Sequence, residues 1–178
     1  MDQRLPDLMN DTVVNVAQLL KQPVGATRTF DLQVARVPLD DELSAREVRA
    51  TIRLTRIETG ILAHGEVTGV VSLVCVRCLT EFDQPFRANF DGEFRPSVDV
   101  RSGEALPIPE DDDELFIIDH NHELDVEPLL RQVILLALPM RPVCGDQCAG
   151  FQPTFPADDE EGDERLAVLR TLLGEGQA

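Results

Sequence analysis

The chain has 178 residues, 43% of them hydrophobic, which is enough apolar material for one core of ordinary domain size. Its 33 acidic residues outnumber 16 basic ones, and the formal net charge of -17 excludes a protein that coats nucleic acid through a basic surface. Residues 1–103 hold 15 acidic and 12 basic residues, whereas residues 104–178 hold 18 and 4. The acidic excess therefore belongs almost entirely to the second part of the chain.

Two acidic runs, at 110–114 and 158–161, contribute much of that excess. Runs of like charge are typical of solvated segments, and the alternative is a surface that docks a basic partner. No stretch approaches the roughly 18 apolar residues of a membrane span, and residues 1–6 lack the layout of a signal peptide. We therefore expect a cytoplasmic protein that has no membrane partner.

The first elements in the chain are a short helix and three strands. The helix is capped by Asn15 and ends before Pro23. Apolar and polar residues then alternate over 48–55, over 61–73 after a turn, and over 82–94, which predicts the strands. The third strand carries half of the eight phenylalanines on one face, namely Phe82, Phe86, Phe90 and Phe94. This face favours a core stripe over the alternative, a platform on which nucleic-acid bases stack.

The second part of the chain is predicted to contain a loop, a short strand and two helices. Residues 96–114 predict a long surface loop and residues 115–118 a short strand. A helix follows, with Asp125 as its cap and Pro139 as its stop. Its broad apolar face should pack on a sheet and consists of Leu129, Leu130, Val133, Ile134, Leu136 and Ala137. Asp163 caps a last amphipathic helix, whose leucines share one side: Leu166, Leu169, Leu172 and Leu173.

Together these elements predict an α+β fold. We expect an antiparallel β-sheet or a partly open barrel, with a packed amphipathic helix and short terminal helices. Residues 1–150 should form a single β-rich domain. Residues 151–178 should form an acidic linker and the C-terminal amphipathic helix.

Two cysteine pairs carry the clearest chemical signal. Cys75 and Cys78 form C-x-x-C between two predicted strands, and Cys144 and Cys148 form C-x-x-x-C just after the main helix. Such pairs, placed on two separate turns, are typical of a structural zinc site with four thiolates and no open position for catalysis. The alternatives are unmetallated thiols and a thiol redox protein that uses Cys75 and Cys78. Against redox chemistry, no βαβ pattern of the thioredoxin type surrounds the first pair.

Charges near the cysteines bear on the same site. Four thiolates around one divalent ion leave residual negative charge, which Arg77 and Arg141, beside the two pairs, could offset as second-sphere groups. His120 and His122 offer another ligand pair, although a short polar turn of this kind is more often a solvated loop.

The only concentration of positive charge is a series of four arginines: Arg46, Arg49, Arg53 and Arg56. On an outward strand face, this series is able to contact RNA phosphates or an acidic partner. The pattern favours the alternative, a solvated sheet face paired with Glu42 and Glu47. No Ser/His/Asp arrangement, phosphate-binding glycine loop or helical His-Glu motif is present, so the sequence predicts neither an enzyme nor a small-molecule substrate.

Three segments of the chain resemble a known family. Residues 72–79 with C-x-R-C-L, residues 134–144 with L-P-M-x-P-x-C, and residues 163–169 are similar to the YceD family, whose members are named large ribosomal RNA subunit accumulation proteins. Residues 15–25 are also similar to the family's opening. The resemblance implies that residues 1–150 are a YceD-like domain and that its four cysteines occupy the family's recurrent cysteine positions. Many members carry a further C-P-x-C-G pair where this chain has residues 151–156, so at most one four-cysteine site is available.

The resemblance also implies a function. It implies a non-catalytic role in ribosome biogenesis, in which large-subunit ribosomal RNA fails to accumulate without the protein. Because the chain is acidic, we expect it to hold a ribosomal protein or a pre-ribosomal assembly intermediate rather than bare RNA. Contact with the large-subunit RNA would then be indirect or local.

Overall fold

The computed structural model describes residues 7–9, 11–107 and 116–150 of the chain. Its strands, in chain order, are β1 (Asp7–Met9), β2 (Val13–Asn15), β3 (Thr27–Pro38), β4 (Ser44–Arg56), β5 (Ile61–Val74), β6 (Glu81–Pro96), β7 (Phe116–Ile118) and β8 (Glu123–Asp125). Within this part of the chain two helices occur, α1 (Ala17–Leu20) between β2 and β3, and α2 (Glu127–Ala137) after β8.

The strands form one large sheet and one small one. The large sheet has the order β1-β3-β4-β5-β6-β7, with β3 to β6 as an antiparallel meander and the short edge strands β1 and β7 parallel to their neighbours. Strands β2 and β8 pair separately. The predicted β-rich fold with few helices is confirmed, but the predicted antiparallel sheet is mixed, because β1 and β7 run parallel to their neighbours. Among the described residues the sheet is open, because β1 and β7 are its two edges.

The three predicted strands are β4, β5 and β6, each longer than its alternating pattern. Strand β3 was missed, although Phe30 and Leu32 alternate there with polar residues and are buried. The predicted N-terminal helix is α1, whose N-cap is Val16 rather than the predicted Asn15. The Ala17 N–H, at the start of the helix, donates to the Asn15 side chain at 3.1 Å. Asn15 itself ends β2, so this side chain joins the strand to the helix.

Glycines on β5 make room for aromatic rings on β6. Gly65 pairs with Phe90 and Gly69 with Phe86. A Cβ added at Gly65 would lie 2.9 Å from the Phe90 ring, and one added at Gly69 would lie 2.8 Å from the Phe86 ring. The predicted aromatic stripe is buried at Phe86, Phe90 and Phe94 and half-buried at Phe82. The rings therefore fill the core because the facing strand has no side chain at those points.

A bulge in β4 changes which residues face the core. Relative to β5, strand β4 holds one extra residue between Arg46 and Arg49. Glu47, inside this bulge, has a φ of 53°, in the left-handed region that non-glycine residues rarely adopt. Ala45 is buried before the bulge and Val48 is buried after it, so the core face continues although the numbering parity changes.

Helix α2 packs against the inner face of the meander. Its N-cap is Val126 rather than the predicted Asp125, and the Glu127 N–H donates to the Asp125 carboxylate at 2.9 Å. Leu129 packs over Gly92 of β6, where an added Cβ would lie 3.0 Å from its methyl carbons. The buried side chains of the helix are Leu129, Leu130 and Ile134, and Val133 is half-buried.

The prediction that the apolar face of α2 extends through Leu136 and Ala137 was wrong. Leu136 is 87% exposed, and Ala137 is also exposed. Ala137 follows Ile134 by three residues and Leu130 by seven, so it lies on the same side of the helix as these buried residues. The described residues therefore do not cover Leu136 and Ala137 at the end of α2.

Several predicted features lie outside the described residues. They are the acidic runs at 110–114 and 158–161, the first residue of the strand predicted over 115–118, and the C-terminal helix from Asp163. The described part of the loop predicted over 96–114 begins as strand, because β6 continues to Pro96, and includes a bridge between Val98 and Ala105. No helix within the described ranges is long and apolar enough to cross a membrane.

Candidate metal centre

The first cysteine pair lies at the tip of the β5–β6 hairpin. Cys75 follows the last residue of β5, and its N–H donates to the Thr80 carbonyl at 2.9 Å. The Leu79 N–H donates to the Cys75 carbonyl at 3.0 Å, and Leu79 adopts a φ of 61°. These two bonds close a tight turn, so the Cys75 and Cys78 side chains are held near one another.

The second pair lies on the segment that follows α2. The Val76 N–H donates to the Pro142 carbonyl at 2.9 Å, which ties this segment to the hairpin tip. The Cys148 N–H donates to the Gly145 carbonyl at 3.2 Å and forms a second turn around Cys144. The backbone therefore brings the two turns together without help from the sulfur atoms.

The four sulfur atoms lie within 4.8 Å of one another. Cys75 Sγ is 3.7 Å from Cys148 Sγ, and Cys78 Sγ is 3.6 Å from Cys144 Sγ. A tetrahedral zinc–thiolate site with Zn–S bonds of about 2.3 Å has sulfur–sulfur edges of about 3.8 Å. A disulfide bond is much shorter, at about 2.05 Å. All four cysteines are free, so the spacing fits four ligands around one ion.

Hydrogen bonds favour the thiolate form in the first turn. Backbone N–H groups, first that of Cys78, lower the pKa of the Cys75 thiol to about 6. The Arg77 N–H is one of these donors and lies 3.4 Å from Cys75 Sγ. The Thr80 hydroxyl lowers the pKa of Cys78. Because thiolate is the metal-ligating form, the hairpin turn presents the more strongly ligating pair.

In the second turn, by contrast, the pKa values of both cysteines are raised. Hydrogen bonding with Cys148 and then with Cys78 raises the pKa of the Cys144 thiol to about 12. The pKa of Cys148 is also raised, by burial and by Cys78, although the Gly150 N–H favours its thiolate. Four negative sulfurs this close repel one another, and a divalent cation among them would remove that cost.

The structure also locates the other predicted site residues. Arg77 and Arg141 are exposed on the two turns, and Arg77 reaches the centre through its backbone N–H rather than its guanidinium. Thr80 was not singled out from the sequence, although its place two residues after Cys78 is a usable signal. His120 and His122 lie in a turn closed by the Asp119 carboxylate. In the described part of the chain, the cysteines are the only cluster of three or more possible metal ligands.

The arginine series divides into separate roles. Arg49 and Arg53 lie on the outward face of β4 and are exposed. Arg46 is on the same face and donates to the Asp83 carboxylate at 2.6 Å, so its partner is neither Glu42 nor Glu47.

Arg56 differs from the other three, because it is half-buried. Its guanidinium donates to the Gly60 carbonyl at 2.8 Å, to the Leu20 carbonyl at 3.3 Å and to the Ile57 carbonyl. These bonds tie α1 to the β4–β5 turn, so Arg56 has a structural role inside the fold.

Helix α2 covers one face of the sheet, and a four-cysteine centre lies between the hairpin tip and the end of that helix. These features define a β-rich protein with a candidate structural metal site. The chain belongs to the YceD family. The family model described as "Large ribosomal RNA subunit accumulation protein YceD" matches residues 63–173, which begin in β5 and include both cysteine turns. The resemblance seen at residues 72–79, 134–144 and 163–169 is thus confirmed, whereas residues 15–25 lie outside the matched range. No curated protein and no solved structure matches the chain.

Proposed function

We propose that this protein is a non-catalytic, cytoplasmic factor for the accumulation of large-subunit ribosomal RNA. We also propose that one structural zinc ion links the β5–β6 hairpin tip to the segment after α2. Family membership supports the ribosomal role. The proposal of a zinc site rests on the distances between the four sulfur atoms. Zinc accepts four thiolates in a tetrahedron, and an ion with four protein ligands has no open position for a reacting water.

The proposed ion would connect parts of the fold that are far apart in sequence. Cys78 and Cys144 are 66 residues apart along the chain. An ion shared between them fixes the β5–β6 hairpin tip to the segment after α2, and so stabilises the folded chain. We expect the exposed guanidinium groups of Arg77 and Arg141, on the same segments as the cysteines, to offset part of the remaining negative charge of the four thiolates.

Charge supports a protein partner over bare RNA. The outward sheet face carries arginines, but Arg46 is paired with Asp83, and Arg87 is paired with Glu66 at 2.7 Å. Arg49 and Arg53 remain for a local contact with RNA. With a net charge of -17, the chain as a whole fits a basic ribosomal protein or a pre-ribosomal assembly intermediate.

The ribosomal role is tested in a strain that lacks the protein. The ratio of large-subunit to small-subunit ribosomal RNA should fall on deletion and recover with the wild-type chain. Recovery should fail with Cys78→Ser, and should be complete with the outward-facing control His64→Ala. An unchanged RNA ratio in the deletion strain would contradict the proposal.

The partner is tested by neutralising charge in the full-length chain. Replacing the acidic runs at 110–114 and 158–161 with Asn and Gln should reduce capture of basic ribosomal proteins from a ribosome-depleted lysate. Arg49→Gln combined with Arg53→Gln is the matched control and should leave that capture unchanged. If the arginine variant alone loses large-subunit RNA while protein capture persists in both variants, the direct partner is RNA instead.

The alternative function, a thiol redox protein, has less support. Cys75 has no exposed surface, whereas a redox-active nucleophile must meet its substrate. Its low pKa is equally expected of a metal ligand. Reactivity of Cys75 toward a disulfide reagent in the purified, metal-loaded protein would favour the redox alternative.

A further inference from the structure

Apolar side chains are exposed around the cysteine centre. The structure leaves five of them open, and we call this set the apolar patch: Val74 at 54%, Val76 at 48%, Leu79 at 64%, Leu136 at 87% and Met140 at 101% exposure. Soluble monomeric proteins rarely expose this many large apolar side chains at one end. Such a surface marks an interaction site.

The patch is joined by the contacts that hold the centre. Val74, Val76 and Leu79 belong to the hairpin tip, and Met140 lies two residues before Pro142, whose carbonyl accepts the Val76 N–H at 2.9 Å. Leu136 lies in the last turn of α2, just before this segment. The patch therefore combines side chains of the hairpin tip with side chains of the segment that is hydrogen-bonded to this tip and of the helix turn just before that segment.

We propose that residues 163–173 of this same chain cover the apolar patch as an amphipathic helix. These residues lie outside the described ranges, and their sequence places leucines on one side of a helix at positions 166, 169, 172 and 173. A leucine face of this kind is complementary to exposed Leu136 and Met140. The proposal does not depend on the ribosomal role or on which metal the cysteines bind.

The length of the intervening chain permits this contact. Residue 151 follows Cys148 by only three positions, so the chain that leads to Asp163 starts close to the centre. From there to Asp163 an extended chain reaches up to about 40 Å, far enough to return over the patch. A short tether also holds a segment near its site at an effective concentration in the millimolar range.

The charges near the patch also favour residues 163–173 as the segment that covers it. The acidic run at 158–161 immediately precedes the leucine segment. Arg77 and Arg141, both exposed, lie on the two turns beside the patch. The acidic run can face these guanidinium groups while the leucines cover the apolar side chains. The family match also spans the patch and the leucine segment together, because it ends at residue 173.

Photo-cross-linking in the full-length protein tests the contact. Benzoylphenylalanine in place of Leu136 should cross-link to residues 163–173 within a species of monomer mass at micromolar concentration. The same group in place of Val24, which is 61% exposed in a loop far along the chain, is the matched control and should give no such product. Cross-links confined to a species of dimer mass, or the absence of cross-links to 163–173, would overturn the proposal.

Hydrogen exchange supplies a second readout that needs no cross-linker. Leu136→Asp combined with Met140→Asp should speed amide exchange across residues 163–173 by tenfold or more and leave β3 to β6 unchanged. Val24→Asp should leave both regions unchanged. Equal exchange at 163–173 in the wild type and the double variant would contradict the docking, as would protection that rises with protein concentration.

Discussion

Cys75 Sγ lies 3.7 Å from Cys148 Sγ, although 73 residues separate them along the chain. Their approach joins the tip of a hairpin to the segment after α2. The main core lies elsewhere, between the meander and the buried face of α2, and includes Phe90, Phe94 and Ile134. Changes in the core and changes in the centre should therefore have distinguishable effects.

Removal of the metal should loosen the centre more than the sheet. A strong zinc chelator should lower the Tm of the wild-type protein by roughly 5–15 °C, because a ligand bound only to the folded state stabilises that state. Scanning calorimetry with and without chelator provides the measurement. Cys78→Ser should begin at the lower Tm and show no further response to chelator. An equal chelator-induced drop in the variant would mean that the cysteines do not hold the metal.

Gly65→Val should destabilise the sheet core. The added side chain would meet the Thr51 carbonyl and the Phe90 ring, so β5 and β6 cannot keep their packing. The free energy of unfolding should fall by about 2–4 kcal/mol, measured by urea denaturation. His64→Ala changes the exposed neighbour and should alter it by less than about 0.5 kcal/mol. Similar values for the two variants would show that the ring does not pack over Gly65.

Arg56 and Arg53 should behave differently although both are arginines on β4. Arg56→Ala leaves carbonyl oxygens of α1 and the β4–β5 turn without their donor, and should cost about 2 kcal/mol of unfolding free energy. Arg53→Ala removes an exposed side chain and should cost less than about 0.5 kcal/mol. Denaturant titrations of the two variants make the comparison. If Arg53→Ala is the more costly change, the assigned roles are reversed.

Replacing Glu47 with glycine should preserve the bulge, whereas deleting Glu47 should destabilise the sheet. Glu47→Gly relieves a left-handed conformation and should raise the free energy of unfolding by up to about 1 kcal/mol. Strand β3 matches β4 residue for residue across the bulge, because Val34 pairs with Val48 and Arg36 pairs with Arg46. Deleting Glu47 would therefore leave one residue of β3 without a partner and break the β3–β4 register. The deletion should therefore lower the Tm sharply. A deletion variant as stable as the wild type would show that the extra residue does not set the register.

Local patterns predicted the parts of this fold where the period is regular. The alternation from Val48 to Leu54 identified β4, and the spacing of phenylalanines identified the inner face of β6. The cysteine spacing also predicted the residues that meet at the centre, because a pair on a turn can point two sulfurs toward one position. The structure confirms that all four come together.

Other features depend on contacts that no local pattern contains. The bulge at Glu47 changes the parity of the buried positions, so the first residues of β4 do not continue the alternation that follows them. The partners of Arg56 come from α1 and a distant turn, which the sequence does not place together. The exposure of Leu136 depends on where the sheet ceases to cover α2, and helical periodicity carries no information on that point.

The zinc site is the central claim, and native mass spectrometry of the purified full-length protein tests it most directly. We predict a mass equal to the chain plus one zinc ion, with the protons of the coordinating thiols lost, and a zinc-free mass for Cys75→Ser. A metal-free wild-type chain with four intact thiols, or one lighter by the two hydrogens of a disulfide, would contradict the account.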